Sequence, residues 1–156
     1  MSNYKPNPND SVIVPIGLDD ANRFIKAHHR YMTVIHRARY CISAYHNGQL
    51  VGIVATTPPT NNKVDDGLTI EIARLCTHLA PYNTASALIS RACKAARAMG
   101  FRKVITYVDA SVDGACYRSC NFISGSEFLR RPWKKNLDCY DAKKTSSIRR
   151  LDLDLT

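Results

Sequence analysis

The sequence predicts one domain of mixed α/β (α+β) class, with a basic segment after its last strand. Three observations carry this prediction. The chain has 156 residues, 45% hydrophobic and 22% charged, which is typical of one globular domain. Short β-branched runs alternate with segments whose apolar residues recur every three or four positions, the pattern of strands interleaved with amphipathic helices. The sequence contains no internal repeat and no low-complexity segment.

The first half of the chain is expected to contain a strand, a helix and a hairpin. Residues 11–18 are an apolar, β-branched run that predicts a strand. Asp19 or Asp20 is expected to cap a helix that runs through residues 21–32. Residues 41–57 predict two strands joined at an Asn-Gly pair, because both residues tolerate the positive φ angles of a tight hairpin.

The second half continues the alternation after a turn-rich loop. Its most regular helix has Ala, Leu, Ile and Met residues on one stripe and ends at a glycine, which suits a helix terminus. The predicted elements are a strand over residues 68–78, this helix over 83–100, a strand over 102–110, a short helix over 113–120 and a final strand over 121–128.

The charge is unevenly distributed. The 22 Lys and Arg residues exceed the 13 Asp and Glu residues, and the net charge of +9 favours a polyanionic partner such as nucleic acid. Residues 129–150 hold eight basic and two acidic residues, so they account for +6 of this charge. We therefore expect a domain over residues 1–128, with residues 1–10 as a loose arm, and a basic extension of the same domain over residues 129–156.

Composition also bears on location and on metal binding. The longest apolar runs are a few residues, far short of the roughly 20 that cross a bilayer, and the N-terminal segment lacks the apolar centre of a signal peptide. The six cysteines form no CxxC pair, so their spacing does not support a metal site. We expect a cytoplasmic protein with reduced cysteines and no membrane partner.

The segment from residue 68 to residue 128 resembles the GNAT N-acetyltransferase superfamily. The shared order is a strand, a turn, an Ala-rich helix ending in Met-Gly-Phe, a second strand, and a short helix with the pattern Tyr-x-x-x-x-Phe. The resemblance implies a central mixed, mostly antiparallel sheet flanked by helices. It also implies that the helix start binds the pyrophosphate of acyl-CoA, or of another phosphate-bearing donor. The positions expected to bind this cofactor are Leu75, Cys76, Thr77, Asn83, Thr84, Ala85 and Ser86.

Two positions depart from the superfamily signature and one matches a catalytic position. Ala80 replaces a basic or amide residue, and Asn83 replaces a glycine, although Asn still tolerates a left-handed backbone. Tyr117, in the segment ACYRSCNF, falls on the tyrosine that often protonates the leaving thiolate, since a phenol and a thiol have similar basicity. The alternative role of Tyr117 is that of a core side chain.

A narrower resemblance is to the Mom-type DNA-modification proteins of phages. It rests on AHHRY in the first helix, on ARLCTH before the Asn83-x-x-Ser86 helix start, and on TYVDA, which pairs Asp109 with Tyr117. It implies a transferase that modifies the exocyclic amine of adenine in double-stranded DNA and so protects phage DNA from restriction. The alternatives are an acyl-CoA-dependent N-acetyltransferase acting on a small-molecule or protein amine, and a non-catalytic nucleic-acid-binding module.

Chemistry on a duplex base requires that the base leave the stack, and its weakly nucleophilic amine then needs a hydrogen-bond acceptor. Asp109, at the carboxyl end of a predicted strand, is the candidate carboxylate, with a helix cap as its alternative role. His28 and His29 are adjacent on a helix and point about 100° apart, so only one can face the site as a general base or metal ligand.

Further residues are candidates for contacts with DNA. Tyr31 and Tyr107 could stack on an extruded base, with packing as the alternative. Arg74 is expected on the isoleucine-bearing face of its strand, where it needs a carboxylate or phosphate partner. The basic residues expected to contact DNA phosphates are Arg130, Arg131, Lys134 and Lys135.

Overall fold

The computed structural model describes residues 11–29, 33–110, 113–129 and 147–156. Within these ranges the chain forms seven strands and three helices. In chain order they are β1 (Ser11–Ile16), α1 (Leu18–His28), β2 (Tyr40–His46), β3 (Gln49–Thr57), β4 (Thr69–Thr77), α2 (Thr84–Ala98), β5 (Lys103–Asp109), α3 (Ala115–Arg118), β6 (Ile123–Leu129) and β7 (Ser147–Asp154). Each predicted strand and helix is therefore present, with its ends shifted by a few residues.

The strands form one sheet in the order β1-β2-β3-β4-β5-β7-β6. Neighbouring strands pair antiparallel except β4 and β5, which pair in parallel. A parallel pair needs a crossover connection, and α2 is that connection. The mixed, mostly antiparallel sheet is confirmed.

Helices cover both faces of the sheet. We call the face against α2 and α3 the α2 face, and the face against α1 the α1 face. Because side chains alternate along a strand, Val54 of β3 packs in the cluster with Leu88 of α2, and Ile53 packs in the cluster with Ile25 of α1. Each large apolar side chain buried in this way contributes roughly 1.5–3 kcal/mol to stability.

The hairpin between β2 and β3 turns where the sequence predicts it. Asn47 has φ 50° and Gly48 has φ 76°, so both turn residues adopt the left-handed backbone for which this pair is suited. The turn sets the register of the two strands, and His46 pairs with Gln49 directly beside it.

The predicted cap of α1 is wrong. The helix begins at Leu18, with Gly17 as its N-cap and no side-chain cap hydrogen bond. Asp19 and Asp20 lie inside the first turn, where a carboxylate is favoured by the helix dipole without acting as a cap. Asp20 instead forms an ion pair with Arg23 at 2.9 Å.

The end of the chain is a strand, where the sequence analysis expected none after residue 128. β7 lies between β5 and β6 and pairs with both. Leu151 is 1% exposed in the α2-face core, and Leu153 packs against that core. Arg150 and Asp152, which flank Leu151, masked a period-two pattern, in which the leucines face the core and these two charged residues pair on the opposite face.

Candidate active site

β4 and β5 separate at their carboxyl ends and leave a fork in the middle of the sheet. Their parallel register runs only from Thr69 opposite Lys103 to Ile72 opposite Thr106. Beyond that point β4 continues against β3, while β5 continues against β7. The Thr106 hydroxyl donates a hydrogen bond to the Ile72 carbonyl at 2.9 Å and marks the apex of the fork. Ligands in open sheets bind at such carboxyl ends.

A β-bulge in β4 helps to open this fork. Ala55 of β3 pairs with Arg74 and Thr56 pairs with Ile72, so Ala73 is an extra residue on β4. An extra residue reverses the alternation of the side chains that follow it. Arg74 therefore does not share the face of Ile72, and that prediction is wrong. Its Nε donates to the Thr33 carbonyl at 2.9 Å, beyond the end of α1.

Four of the positions predicted to bind the cofactor, Asn83 to Ser86, form the start of α2. Asn83 has φ 71° and precedes the first helical residue, Thr84, in the left-handed conformation that its glycine-like role requires. Geometry leaves first-turn amides without intrahelical acceptors, so those of Ala85 and Ser86 are available to an anion. Thr84 is buried and donates from its hydroxyl to the Pro81 carbonyl at 2.8 Å, which fixes the turn.

The last residues of β4 divide between the two faces of the sheet. Leu75 packs against the α2-face core, and Cys76 is buried in the α1-face cluster, as the bulge dictates. Thr77 is exposed at the end of the strand. Their predicted role in cofactor binding stays a prediction.

A cavity of about 570 Å³ adjoins the start of α2. It lies between α2, the turn after α3 and the end of the chain. The lining combines hydroxyl groups and two cationic side chains, which suits a phosphate-bearing ligand. Its polar lining includes Ser86, Ser90, Lys94, Arg97, Ser119 and Asn121.

Tyr117 lies on the α2 side of the fork apex. Its ring is 6% exposed and meets Phe122 edge to face, with the ring centroids 5.3 Å apart. Burial raises the pKa of this phenol well above its ordinary value, and the nearby Thr106 side chain opposes that rise. Tyr117 is thus both a core side chain and a protonated phenol at the fork, so its two predicted roles are compatible.

Glu71, which is not among the residues predicted from the sequence, lies on the α1 side of the same apex. It is 6% exposed and accepts hydrogen bonds from the Thr60 amide at 2.7 Å and the Thr60 hydroxyl at 3.3 Å. Burial raises the pKa of Glu71, against the opposing effects of these bonds and of Arg74. The sequence does contain one signal that could have identified Glu71, since it is a single carboxylate inside a mostly apolar strand.

Tyr107 lies beside Glu71 on the α1 face, as part of an aromatic and polar group. Its ring centroid is 6.2 Å from that of Phe128, and Arg150 is its partner in the β5–β7 register. Arg150 donates two hydrogen bonds to Asp152, each 2.7 Å long. Burial and then the charge of Glu71 raise the pKa of Tyr107.

The two adjacent histidines occupy different surroundings. His28 is exposed and stacks on His78, with the ring centroids 4.0 Å apart. His29 is half-buried, and burial followed by the positive charge of Arg74 lowers its pKa. His78 follows β4 directly, so the stacked pair joins α1 to the rim of the fork. Whether either predicted histidine acts in catalysis stays a prediction.

Several other predicted residues are not tested by this geometry. Asp109 is half-buried at the carboxyl end of β5, opposite Ile148 of β7, and its proposed role stays a prediction. The residues that lie outside the described ranges are Tyr31, Arg130, Arg131, Lys134 and Lys135.

Within the described ranges, no group of three or more His, Cys, Asp and Glu residues is arranged to hold a metal ion. No helix there is long and apolar enough to span a bilayer. The cysteines of this part of the chain, Cys41, Cys76, Cys93, Cys116 and Cys120, are free thiols.

The fold matches that of solved N-acetyltransferases. An N-acetyltransferase from Staphylococcus aureus Mu50 aligns with a TM-score of 0.70 and 16% identity, over 95% of this chain and 100% of that one. An acetyltransferase from Bacillus subtilis in complex with CoA aligns with a TM-score of 0.68 and 14% identity, over 94% of this chain and 100% of that one. A GNAT-family acetyltransferase from Streptococcus pneumoniae aligns with a TM-score of 0.68 and 15% identity, over 94% of this chain and 100% of that one. The GNAT fold predicted from residues 68–128 is confirmed.

Sequence comparison gives the closer relationship. A search of curated proteins finds no match. The model of the Mom protein family matches residues 10–150, which is most of the chain and includes every strand that borders the fork. With a GNAT fold and this match, the chain belongs to the Mom protein family.

Proposed function

We propose that this protein is a GNAT-fold transferase that moves an acyl-type group from a CoA thioester to the exocyclic amine of adenine in DNA, and so protects phage DNA from restriction. One observation carries the proposal: the fork has a protonated tyrosine on its α2 side and a buried carboxylate on its α1 side. Donor and acceptor can therefore approach the gap from opposite faces of the sheet.

The residues at the start of α2 fit a phosphate-bearing donor. The left-handed Asn83 supplies the turn that a glycine supplies elsewhere, and first-turn amides need no particular side chain to bind an anion. Ala80 offers no side-chain donor, but Lys94 and Arg97 in the adjoining cavity supply positive charge. When bound, a CoA thioester supplies an activated acyl carbon and a thiolate leaving group. Two structural relatives, from Bacillus subtilis and Salmonella typhimurium, were solved with CoA and acetyl-CoA.

The chain's own side chains then move two protons. Glu71 accepts the proton that the amine releases as the C–N bond forms, and its raised pKa brings it closer to that of a base working near neutrality. Tyr117 donates its proton to the sulfur as the C–S bond breaks. Asp109, at the carboxyl end of β5, accepts a hydrogen bond from the attacking amine and orients it.

Charge and aromatic groups support DNA as the acceptor. The net charge is +9, and residues 72–108 contain six Lys and Arg residues and no Asp or Glu. Tyr107 and Phe128 offer ring faces beside Glu71 on which an extruded base can stack. Tyr31, Arg130, Arg131, Lys134 and Lys135 keep their predicted roles in base stacking and phosphate contact.

The test is to express the protein in a bacterium, digest the genomic DNA to nucleosides and analyse them by mass spectrometry. We expect a new deoxyadenosine derivative. Tyr117→Phe and Glu71→Gln should each abolish it, because each removes a proton-transfer group. The matched controls Tyr45→Phe and Glu127→Gln should retain it. An unchanged deoxyadenosine profile from folded protein would contradict the proposal.

A second candidate is an ordinary acyl-CoA N-acetyltransferase, favoured by structural relatives such as the ribosomal-protein-alanine N-acetyltransferase from Brucella melitensis. In that case CoA should raise the melting temperature, acetyl-CoA should label a peptide or small-molecule amine, and DNA should stay unmodified. A non-catalytic DNA-binding module would instead retain DNA affinity and yield neither product.

A further inference from the structure

The loop between β4 and α2, residues 78–83, carries the two most exposed large apolar side chains of the described ranges. Leu79 is 87% exposed and Tyr82 is 94% exposed, and the next is Ile123 at 74%. Single exposed apolar residues are ordinary on protein surfaces. Two in one short loop beside a candidate active site indicate a contact surface.

The backbone at Leu79 is also unusual. Its φ angle is 50°, in the left-handed region that bulky side chains rarely adopt. Such strain persists only where the surroundings enforce it, and it is concentrated at functional sites. The conformation thus holds a leucine in solvent at a position where Gly or Asn would fit with less strain.

Hydrogen bonds fix the loop at both ends. The His78 amide donates to the Val51 carbonyl at 2.8 Å, and the Thr84 amide and hydroxyl both donate to the Pro81 carbonyl. Ala80, between the exposed residues, packs against the α2-face core. The two exposed side chains are therefore presented from an anchored backbone.

The loop borders the opening of the fork. It begins where β4 ends, and His78 at its start stacks on His28 of α1, on the acceptor side. Nearby charge favours a polyanion, since the sequence from residue 72 to residue 108 is free of acidic residues. A partner at this rim would meet two exposed apolar side chains in a segment without carboxylates, which suits a stack of bases between phosphate backbones.

We propose that Leu79 and Tyr82 form a wedge that enters the base stack of duplex DNA and fills the space left by the extruded base. The inference rests on the proposed function. Bases along a strand are spaced by about 3.4 Å, close to the thickness of an aromatic ring, and aromatic side chains stack on bases whatever the sequence. Occupying the gap lowers the free energy of the extruded state, so the wedge acts before the chemical step.

The experiment uses duplexes that carry 2-aminopurine at the target position within randomised flanking sequence. Its fluorescence rises when the base leaves the stack. The variant is Leu79→Asn combined with Tyr82→Ser, because Asn accepts the left-handed backbone and both new side chains are polar. The control is Met99→Ala, which removes a side chain that is 59% exposed at the far end of α2.

We expect the wild-type protein and the control to raise the fluorescence, and the variant to leave it near the level of free duplex. On substrates with adenine at the target position, the variant should modify duplex DNA at least about tenfold more slowly than the wild type. It should modify adenine in single-stranded DNA at the wild-type rate, since no unstacking is needed there. The wedge would be overturned if the variant gave the same fluorescence or the same rate on duplex DNA as the wild type. It would also be overturned if the variant lost as much rate on single-stranded DNA as on duplex DNA.

The outcomes also separate the wedge from the proposed function. If the wild-type protein modifies single-stranded and duplex DNA while the variant behaves like it, the function stands and the wedge is wrong. If the wild-type protein modifies neither, the proposed function fails and the wedge fails with it. If the two side chains are exposed because copies of the protein associate through them, the variant should sediment differently from the wild type and give the same fluorescence. That result would also overturn the wedge.

Discussion

Glu71 and Tyr117 lie on opposite faces of the sheet at the same apex, and each is 6% exposed. Tyr117 belongs to a recognisable motif, so its position follows from a pattern. Glu71 carries no motif, and its importance comes from burial beside Thr60, which depends on how the loop between β3 and β4 folds back. Arg74 was placed on the wrong face because one extra residue, Ala73, reverses the alternation. Local spacing does not reveal a bulge, which is defined by the partner strand.

At the residue scale, stability should depend on the charge of Glu71. Burial raises its pKa above the ordinary 4.5, so ionising this carboxyl destabilises the folded state. The free energy of unfolding of the wild type, relative to Glu71→Gln, should be highest below about pH 4.5 and fall as the pH rises through the raised pKa. Urea denaturation of both proteins from about pH 4 to about pH 8 measures this difference.

Glu127→Gln is the matched control, because Glu127 is an exposed carboxylate in β6. Its stability difference from the wild type should not follow the Glu71 curve. A Glu71→Gln difference that stays constant, or that favours the wild type increasingly with pH, would contradict the assignment of Glu71 as a carboxyl with a raised pKa.

At the element scale, the order of strands and helices through residue 128 was predictable, because each segment carries its own periodicity. β7 was not, since Arg150 and Asp152 alternate with its leucines and resemble a solvated tail. In the structure those two charges pair with each other at 2.7 Å on the α1 face. A strand inside the sheet can thus carry a charged sequence when the side chains that face away from the core pair with each other.

Leu151→Ala should therefore behave as a core mutation. Leu151 is 1% exposed, and truncating such a side chain costs about 2–5 kcal/mol. Ile123→Ala, on the neighbouring strand, removes a side chain that is 74% exposed and should change stability by less than about 0.5 kcal/mol. Thermal and urea unfolding measure both, and equal costs would mean that β7 is not part of the cooperative core.

At the scale of the whole molecule, the positive charge has more than one location. The segment 129–150 carries +6, but Arg149 and Arg150 at its end belong to β7. A second concentration spans residues 72–108, which form the end of β4, the loop, α2 and most of β5. The second concentration is less evident in the sequence than the first, because its charges are spread thinly along an apolar stretch.

Reversing Arg130, Arg131, Lys134 and Lys135 to glutamate should weaken DNA binding and flatten its salt dependence, because fewer counterions are released. The comparison is reversal of Arg102 and Lys103, at the amino end of β5 and away from the fork. Filter-binding titrations at several salt concentrations should show a larger loss per reversed charge for the first set. An unchanged affinity and salt slope would mean that these four residues do not contact DNA.

The short parallel pairing of β4 and β5 has a mechanical consequence. It divides the sheet into two antiparallel half-sheets, β1 to β4 and β5 to β6, that are joined along a seam from Thr69 to Ile72. A ligand in the fork would extend that seam by bridging the separated strands. Binding would then crosslink the half-sheets, and backbone amides on both should exchange with solvent more slowly together.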